Sequence, residues 1–356
     1  MPATVKDVAR SADVSIGTVS RVLSGEPNVT KETTARVMKA VEQLGYSRLR
    51  KRKTIAAGQR LARKNIAMLL LGMDRSLASL PSVACGIHGA ESALSGVGAN
   101  VLLSDLPCVD EVPKVIAARN LHGLLAKSAL QGNLVESADE KLIDRLRQIP
   151  TAWFLGRPQG ADWGDAVEAN DADVGRIAAE HLLNKGHRRI AILDPKPIHV
   201  AHGQRCASFA GYATQHGAIV EMVLGDQSAA NFPSRPVADV ALVDDLVGKL
   251  LEHPNRPTAV FCPADCISAM VYRACGRRGL QVGKDLSLIS CNNELPLLTG
   301  LYPEVTTIDI CAEQIGQQAV EQLIWRLAHP SPPPVTIWVQ PRLVEGMSVA
   351  DLRSNT

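Results

Sequence analysis

Between Asp13 and Gly25 the chain reads DVSIGTVSRVLSG, a run of small polar residues spaced to touch a polyanion. On a helix capped by Ser15, the positions Ser15, Ile16, Gly17, Thr18, Ser20 and Arg21 look outward, while Val19, Val22 and Leu23 face inward. Hydroxyls donate to phosphate oxygens, and an arginine reaches either a phosphate or the edge of a guanine. Small side chains also let such a helix sit deep in a major groove. Ile16 and Gly17 carry no side-chain donor or acceptor, so the chemistry offered is mostly backbone contact, with Arg21 as the main reader.

Other chemistries find little support. The chain contains no GxSxG, no GxxxxGK[ST] and no GxGxxG; GVGAN lacks the third glycine. His199 and His202, in HVAHG, have no glutamate between them and read as a loop pair near a pocket mouth rather than a metal site. The eight cysteines form no CxxC and read as reduced, mostly buried thiols. No metal, cofactor or catalytic activity is expected. No apolar run approaches the roughly 20 residues that span a membrane. Asp7 and Asp13 interrupt any signal-like segment, so a cytoplasmic location without membrane contact is expected.

Three helices position the polar run. Thr4 opens the first in a TVKD capping pattern, with Val5, Val8, Ala9 and Ala12 on one face. Asp13 falls where a tight turn demands positive φ, which Asp tolerates. The third helix follows Thr30 and carries Val37, Met38, Val41 and Leu44 to Gly45. Two short helices across a tight turn, closed by a third, predict a helix-turn-helix. Charge agrees: residues 1–64 hold 14 Lys and Arg against 5 acidic residues, a net of +9, while the remainder has 24 against 31, a net of −7. Six of the basic residues fall between Arg48 and Arg60. A basic head on an acidic body predicts a polyanion partner for the head.

The segment from Val5 to Tyr46, with its VS-x-x-TVSRVL core and the VT-x-E-T start of the next helix, resembles the DNA-binding head of the LacI family of bacterial transcriptional regulators. The resemblance implies backbone contacts from Thr4, Ser15, Ser20, Ser24, Asn28 and Thr33, and places the family's base-choosing positions on Ile16 and Gly17. Past Tyr46 the family's hinge pattern is replaced by SRLRKRKTIAAGQRLARKN. Leu61 is the expected minor-groove wedge there, with Ile55 as competitor and Gly58 weakening any helix.

From Asn65 onward, apolar runs alternate with helical patterns: NIAMLLLG, ANVLLSD, HGLLAKS and TAWFLGR, then HRRIAILDP, PTAVFCPAD and DLSLISCNN. Two such sets predict an α/β body of two doubly wound parallel-sheet lobes, with ligands bound at the carboxyl ends of the strands. The family resemblance continues more loosely here and implies a body like the periplasmic sugar-binding proteins, with crossovers near Ala169, Leu295 and Arg326. The expected organisation is a head (1–46), a basic linker (47–64), a ligand-binding and dimerising body (65–345) and a short tail (346–356). Within the body, lobe 1 takes about 65–168 and 296–325, and lobe 2 about 169–295 and 326–345. No tetramerising helix is expected after LVEGMSVADLRSNT, so a homodimer is.

By the same resemblance the usual sugar chelators are thinned. Gly156 stands for an Asp, Ser208 for an Arg three residues before the pair Gly211–Tyr212, Ala264 for an Asn, Asn292 for an Asp, and Gln227 for a stacking Trp. Each lost charged hydrogen bond is worth roughly 1.5–3 kcal/mol. Asp74, Arg205, Asp265 and Asn292 are the residues left to hold an effector. Three readings stay open: a small-molecule effector of another class, a sugar held by a rewired set, or a vestigial cleft. The chain therefore reads as a repressor that binds a pseudo-palindromic DNA operator as a homodimer; its rivals are an architectural DNA binder and a free-standing binding protein or enzyme.

Overall fold

The computed structural model describes residues 4–24, 29–44, 61–117, 120–130, 132–225 and 240–355. The chain divides into two compact units, Met1–Ala56 and Ala57–Thr356.

The first unit is helical. α1 (Val5–Ser11), α2 (Ile16–Ser24) and α3 (Lys31–Gln43) enclose a small core of Val8, Ala9, Ala12, Val19, Val37 and Ala40. Its ends are fixed by short-range polar contacts that the spacing predicts. The Asp7 carboxylate accepts from both the backbone N–H and the hydroxyl of Thr4. Ser15 Oγ accepts from the Thr18 N–H, and Thr30 Oγ1 accepts from the Thr33 N–H. Asp13 takes φ 51°, as the tight turn requires. Met38 within α3 and Leu44 at its C-cap are exposed.

The second unit holds two six-stranded sheets. Its strands are β1 (Asn65–Leu71), β2 (Asn100–Leu106), β3 (Leu121–Ser128), β4 (Thr151–Phe154), β5 (Asp165–Ala169), β6 (Arg189–Asp194), β7 (Ile219–Leu224), β8 (Ala259–Phe261), β9 (Ser287–Cys291), β10 (Thr306–Asp309), β11 (Thr336–Val339) and β12 (Arg342–Val344). Lobe 1 has the order β2-β1-β3-β4-β5-β11, all parallel; lobe 2 repeats it as β7-β6-β8-β9-β10-β12, with only β12 antiparallel. The central strands are buried along almost their whole length because helices cover both faces.

Two of the three crossovers lie elsewhere than expected. The first follows Ala169, but β10 belongs to lobe 2, so the second falls after Asp309 rather than near Leu295. The third follows β11 at Val339 rather than Arg326. Each lobe therefore receives its last strand from the far end of the chain. β10 is only TTID, and its two threonines are fully paired and buried. A short strand with buried hydroxyls reads as loop, which displaces the apparent crossover upstream. The supposed tail is likewise part of lobe 2: Ser348 is buried, its hydroxyl donates to Leu288 O and accepts from the Thr306 N–H, and the Leu352 N–H donates to Lys185 O.

The long helices beside the crossovers approach backbone to backbone. Helix Asp171–Asn184 meets helix Val200–Gln215 at Gly175, where a Cβ would stand 2.1 Å from Arg205 O. No other residue fits. On the lobe 1 side, helix Ala312–Ala328 is pinned by a buried network on Asp165: Gln322 Nε2 and Arg326 Nε donate to Oδ2 at 2.8 and 2.9 Å, while Arg326 Nη2 and the Val335 N–H donate to Oδ1. Arg326 also donates to the carbonyls of Pro332 and Pro333. It thereby fixes the proline-rich segment that leads into β11.

Candidate functional sites: a groove-facing helix and an inter-lobe cleft

In the head, α2 carries the residues of the expected outward face. Ser15, Ile16, Gly17 and Arg21 are exposed and Thr18 is half-buried; Ser20 and Ser24 lie on the same helix. Ser15 and Thr4 are engaged in the caps, and Thr33 Oγ1 accepts the Thr30 hydroxyl, which leaves Thr33 its own proton to donate. A Cβ on Gly17 would meet nothing closer than Ser15 Oγ at 3.6 Å. The head itself does not require glycine there. Gly17→Leu is therefore expected to keep the head's melting temperature while weakening operator binding by roughly tenfold or more, through a side chain standing between helix and groove. Circular dichroism melts beside operator titrations check both halves; a lowered melting temperature would make Gly17 a folding residue instead.

Asn28, Ile55, Gly58 and most of the basic linker lie outside the described residues, as does Gln227. Leu61 does not, and its placement corrects the wedge assignment. It is fully buried in the apolar cluster of Ile66, Met68 and Leu94. The segment is tied down by Lys64 N–H to Leu61 O at 2.9 Å and Arg63 N–H to Gly98 O at 2.8 Å. A leucine so placed anchors the body ahead of β1 and has no surface to insert into DNA. Leu61→Ala is expected to cost the body about 2–5 kcal/mol in urea unfolding. Unchanged unfolding with lost operator affinity would restore the wedge.

In the body, all three crossovers run past the carboxyl ends of the strands, and those ends line the inter-lobe cleft. In each lobe the strand order reverses between the first and third strands, where doubly wound sheets hold ligands. On lobe 1 those positions deliver Asp74 and Lys127; on lobe 2 they deliver the segment from Asp194 to His202 and the turn Pro263–Asp265.

Arg205 is the hub. It is buried, and its Nε donates to Asp171 Oδ1 at 2.7 Å while Nη1 donates to Pro263 O at 2.8 Å and Asn292 Oδ1 at 2.9 Å. The structure resets the expected register here. Phe209 is the buried aromatic, stacked on Phe261 with ring centroids 4.6 Å apart, whereas Tyr212 is half-buried against His216. Ser208 donates to Ala172 O. The arginine sought at Ser208 stands three residues earlier, at Arg205.

Asn292 flanks the hub with φ 116° and remains partly accessible. Asp265, by contrast, is fully enclosed: Ser290 Oγ and Thr307 Oγ1 donate to Oδ1, and the Glu294 N–H donates to Oδ2 at 2.7 Å. Burial lifts its carboxyl to about 6 against the pull of those donors. It is a positioning residue that shapes the Asn292–Glu294 turn and not the ligand contact expected of it. That turn carries Glu294, whose Oε1 accepts from the Ser82 N–H at the start of helix Pro81–Gly96, across the cleft. Asp74 is exposed, and its Oδ1 accepts from the Leu77 N–H to start a short helix. Gly156 has φ +106°, a backbone that explains its glycine without reference to a ligand.

Two contributors escaped the sequence reading. Lys127 is the penultimate residue of β3, and its Nζ donates to Ser128 O at 2.7 Å and Leu155 O at 2.9 Å. Burial drops its pKa to about 8, with Asp171 and Glu168 opposing. A lysine directly after the apolar run Leu124–Ala126 was the available signal. His199 and His202 are no loop pair: His199 caps helix Val200–Gln215 and His202 lies within it, their rings 4.3 Å apart, with His202 Nδ1 3.1 Å from Asp194 Oδ1. Among the described residues no cluster has the make-up of a metal site, and no helix is long and apolar enough to cross a membrane.

A helix-turn-helix head joined to a two-lobed body with a polar cleft defines an effector-responsive DNA-binding regulator. Residues 4–48 match the profile of the bacterial regulatory proteins of the lacI family, and residues 179–349 that of a periplasmic binding protein-like domain. A lacI-family head followed by a periplasmic binding protein-like body is the make-up of a LacI-family transcriptional regulator. The HTH-type transcriptional repressor PurR of Edwardsiella ictaluri is 29% identical over 360 residues, covering 98% of this chain and 97% of that one. The ribose operon repressor of Escherichia coli is 28% identical over 355 residues, covering 96% and 98%. Among solved structures, the Lac repressor dimer bound to operator and the anti-inducer ONPF superposes with a TM-score of 0.62 at 21% identity, covering 98% of this chain and 100% of that one. A complex of the regulator CelR with cellobiose gives 0.63 at 22% identity, covering 97% and 99%.

Proposed function

We propose that the protein represses transcription as a cytoplasmic homodimer, its heads reading a pseudo-palindromic operator and its inter-lobe cleft binding a small molecule that sets operator affinity. The observation that carries the DNA side is the outward face of α2, open and small, with Arg21 exposed on it. The dimer is supported by apolar side chains left exposed on the outer strands, Leu102 and Leu103 on β2 and Ile219 and Met222 on β7. It also agrees with the dimeric, operator-bound Lac repressor, and the cleft with the cellobiose complex of CelR. The domain scheme proposed is a head at 1–46, a linker before Leu61 and the body thereafter. An effector acts only through its differential affinity for the two states, typically 1–3 kcal/mol of coupling.

With Ile16 and Gly17 offering no side-chain hydrogen bond to a base, specificity falls mainly to Arg21 and to DNA shape. Arg21→Ala is expected to weaken specific binding by about 1–3 kcal/mol, measured by titration against operator and scrambled DNA. Unchanged affinity would reject this docking. The overall reading is tested by selecting genomic fragments with the purified protein at two salt concentrations. A palindromic motif surviving higher salt supports it. Motif-free binding with a slope near −0.9 per phosphate would make the protein an architectural DNA binder instead.

A further inference from the structure

Three polar groups of the cleft have capacity left over, and all three can donate. Lys127 spends two of its three ammonium protons on Ser128 O and Leu155 O. Arg205 commits Nε and Nη1, and Nη2 has no hydrogen-bond partner among the described residues. His199 Nδ1 is buried with no hydrogen-bond partner among the described residues, at the cap of a 16-residue helix. Three neighbouring acids each already accept a bond. Asp171 holds Arg205 Nε; Asp194 holds His202 Nδ1 and the Lys196 N–H; Glu168 accepts from Trp338 Nε1.

We propose that the cleft's ligand is a small organic anion, a phosphate ester or a carboxylate, whose charged group is received by Lys127, Arg205 and His199. This rests on the cleft being the effector site. A neutral polyol brings hydroxyls that must themselves donate, and the three leftover groups here are donors. An oxyanion brings acceptors only, and charge-assisted bonds to lysine and arginine are about twice as strong as neutral ones.

The electrostatics agree. Burial drives the basicity of His199 well down, and its charged or titratable neighbours, His202, Lys127, Arg205 and Lys196, press in the same direction. The lysine is likewise held below its ordinary range, with only Asp171 and Glu168 opposing. An anion entering this field relieves both. It should draw a proton onto His199, whose Nδ1–H then donates to it.

The test uses the full-length protein and simple probes at constant ionic strength: inorganic phosphate, malonate and neutral ribose, each against chloride. Expected is a saturable rise in melting temperature with phosphate or malonate, the better of the two naming the source chemistry. In Lys127→Met the apparent affinity should fall by roughly tenfold, the loss of one charged hydrogen bond. His199→Gln supplies the second variant. In ¹³C-histidine-labelled protein, the His199 titration should move to higher pH with the binding anion. Stabilisation by ribose alone would overturn the anion while leaving the cleft as effector site. No stabilisation by any probe, or anion stabilisation that survives both substitutions, would also overturn it, whereas the operator selection above judges the regulator reading separately.

Discussion

Arg205→Met is expected to lower the unfolding free energy by about 3 kcal/mol and to abolish the effector response while leaving effector-free operator binding in place. The reason is the number of structures that one guanidinium joins. Asp171 lies just past the first crossover, Pro263 ends the β8 turn and Asn292 follows β9; the planar fork holds all three. Methionine fills the volume and leaves the Asp171 carboxylate, itself largely buried, without its partner. Arg205→Lys keeps the charge but cannot reproduce bonds in three directions, so it should recover only part of the loss. Urea unfolding of both variants, beside operator titrations with and without the effector that a ligand screen identifies, checks this. A variant that unfolds normally and still responds would remove Arg205 from the centre of the site.

The second large effect concerns Arg326→Met, expected to cost about 3–5 kcal/mol at neutral pH by stranding Asp165 in lobe 1. Its pH dependence separates this cause from lost packing. In the native protein, burial pushes the Asp165 carboxyl up, but hydrogen bonds from Arg326, Gln322 and the Val335 N–H outweigh it and hold the pKa below 3.8. A depressed native value means that the contribution is present above the unfolded pKa near 4 and is lost as pH falls through the lower native value. Without Arg326 the same burial raises the carboxyl, so the sign reverses: the variant should gain stability relative to the wild type as pH falls from 7 towards 5. Urea midpoints across that range decide it. Curves that run parallel would mean Asp165 is not the source.

The head was legible almost residue by residue because its determinants are local. Thr4 with Asp7, Ser15 with Thr18 and Thr30 with Thr33 are contacts over three positions, and such spacing is visible in any sequence. The central strands were legible because burial on both faces demands unbroken apolar runs. What failed depended on long-range partners. The threonines of β10 look like loop until Asp265 accepts from Thr307 Oγ1, 42 positions away in sequence. Leu61 looks like a wedge until Gly98 binds its neighbour. The arginine of the cleft was sought three residues late because two Gly- or Ser-aromatic pairs, Ser208–Phe209 and Gly211–Tyr212, compete for the register. Only burial distinguishes them.

The crossovers also govern what kind of motion can pass between the lobes. The links are a residue or two long: Asn170 between β5 and its helix, Ile310 and Cys311 after β10, Gln340 and Pro341 before β12. They are laced together as well. The Asp309 carboxylate accepts from the Cys311 N–H and from Arg342 Nη2, and the Cys311 thiol reaches Gln340 O. Two bodies joined at three short, mutually fastened points cannot slide or drift apart, so most of their relative degrees of freedom are stiff. One soft coordinate is left, a rotation about the line of the joints. Any ligand in the cleft can thus be described by a single angle that it favours, and ligands of different chemistry become comparable on that one scale.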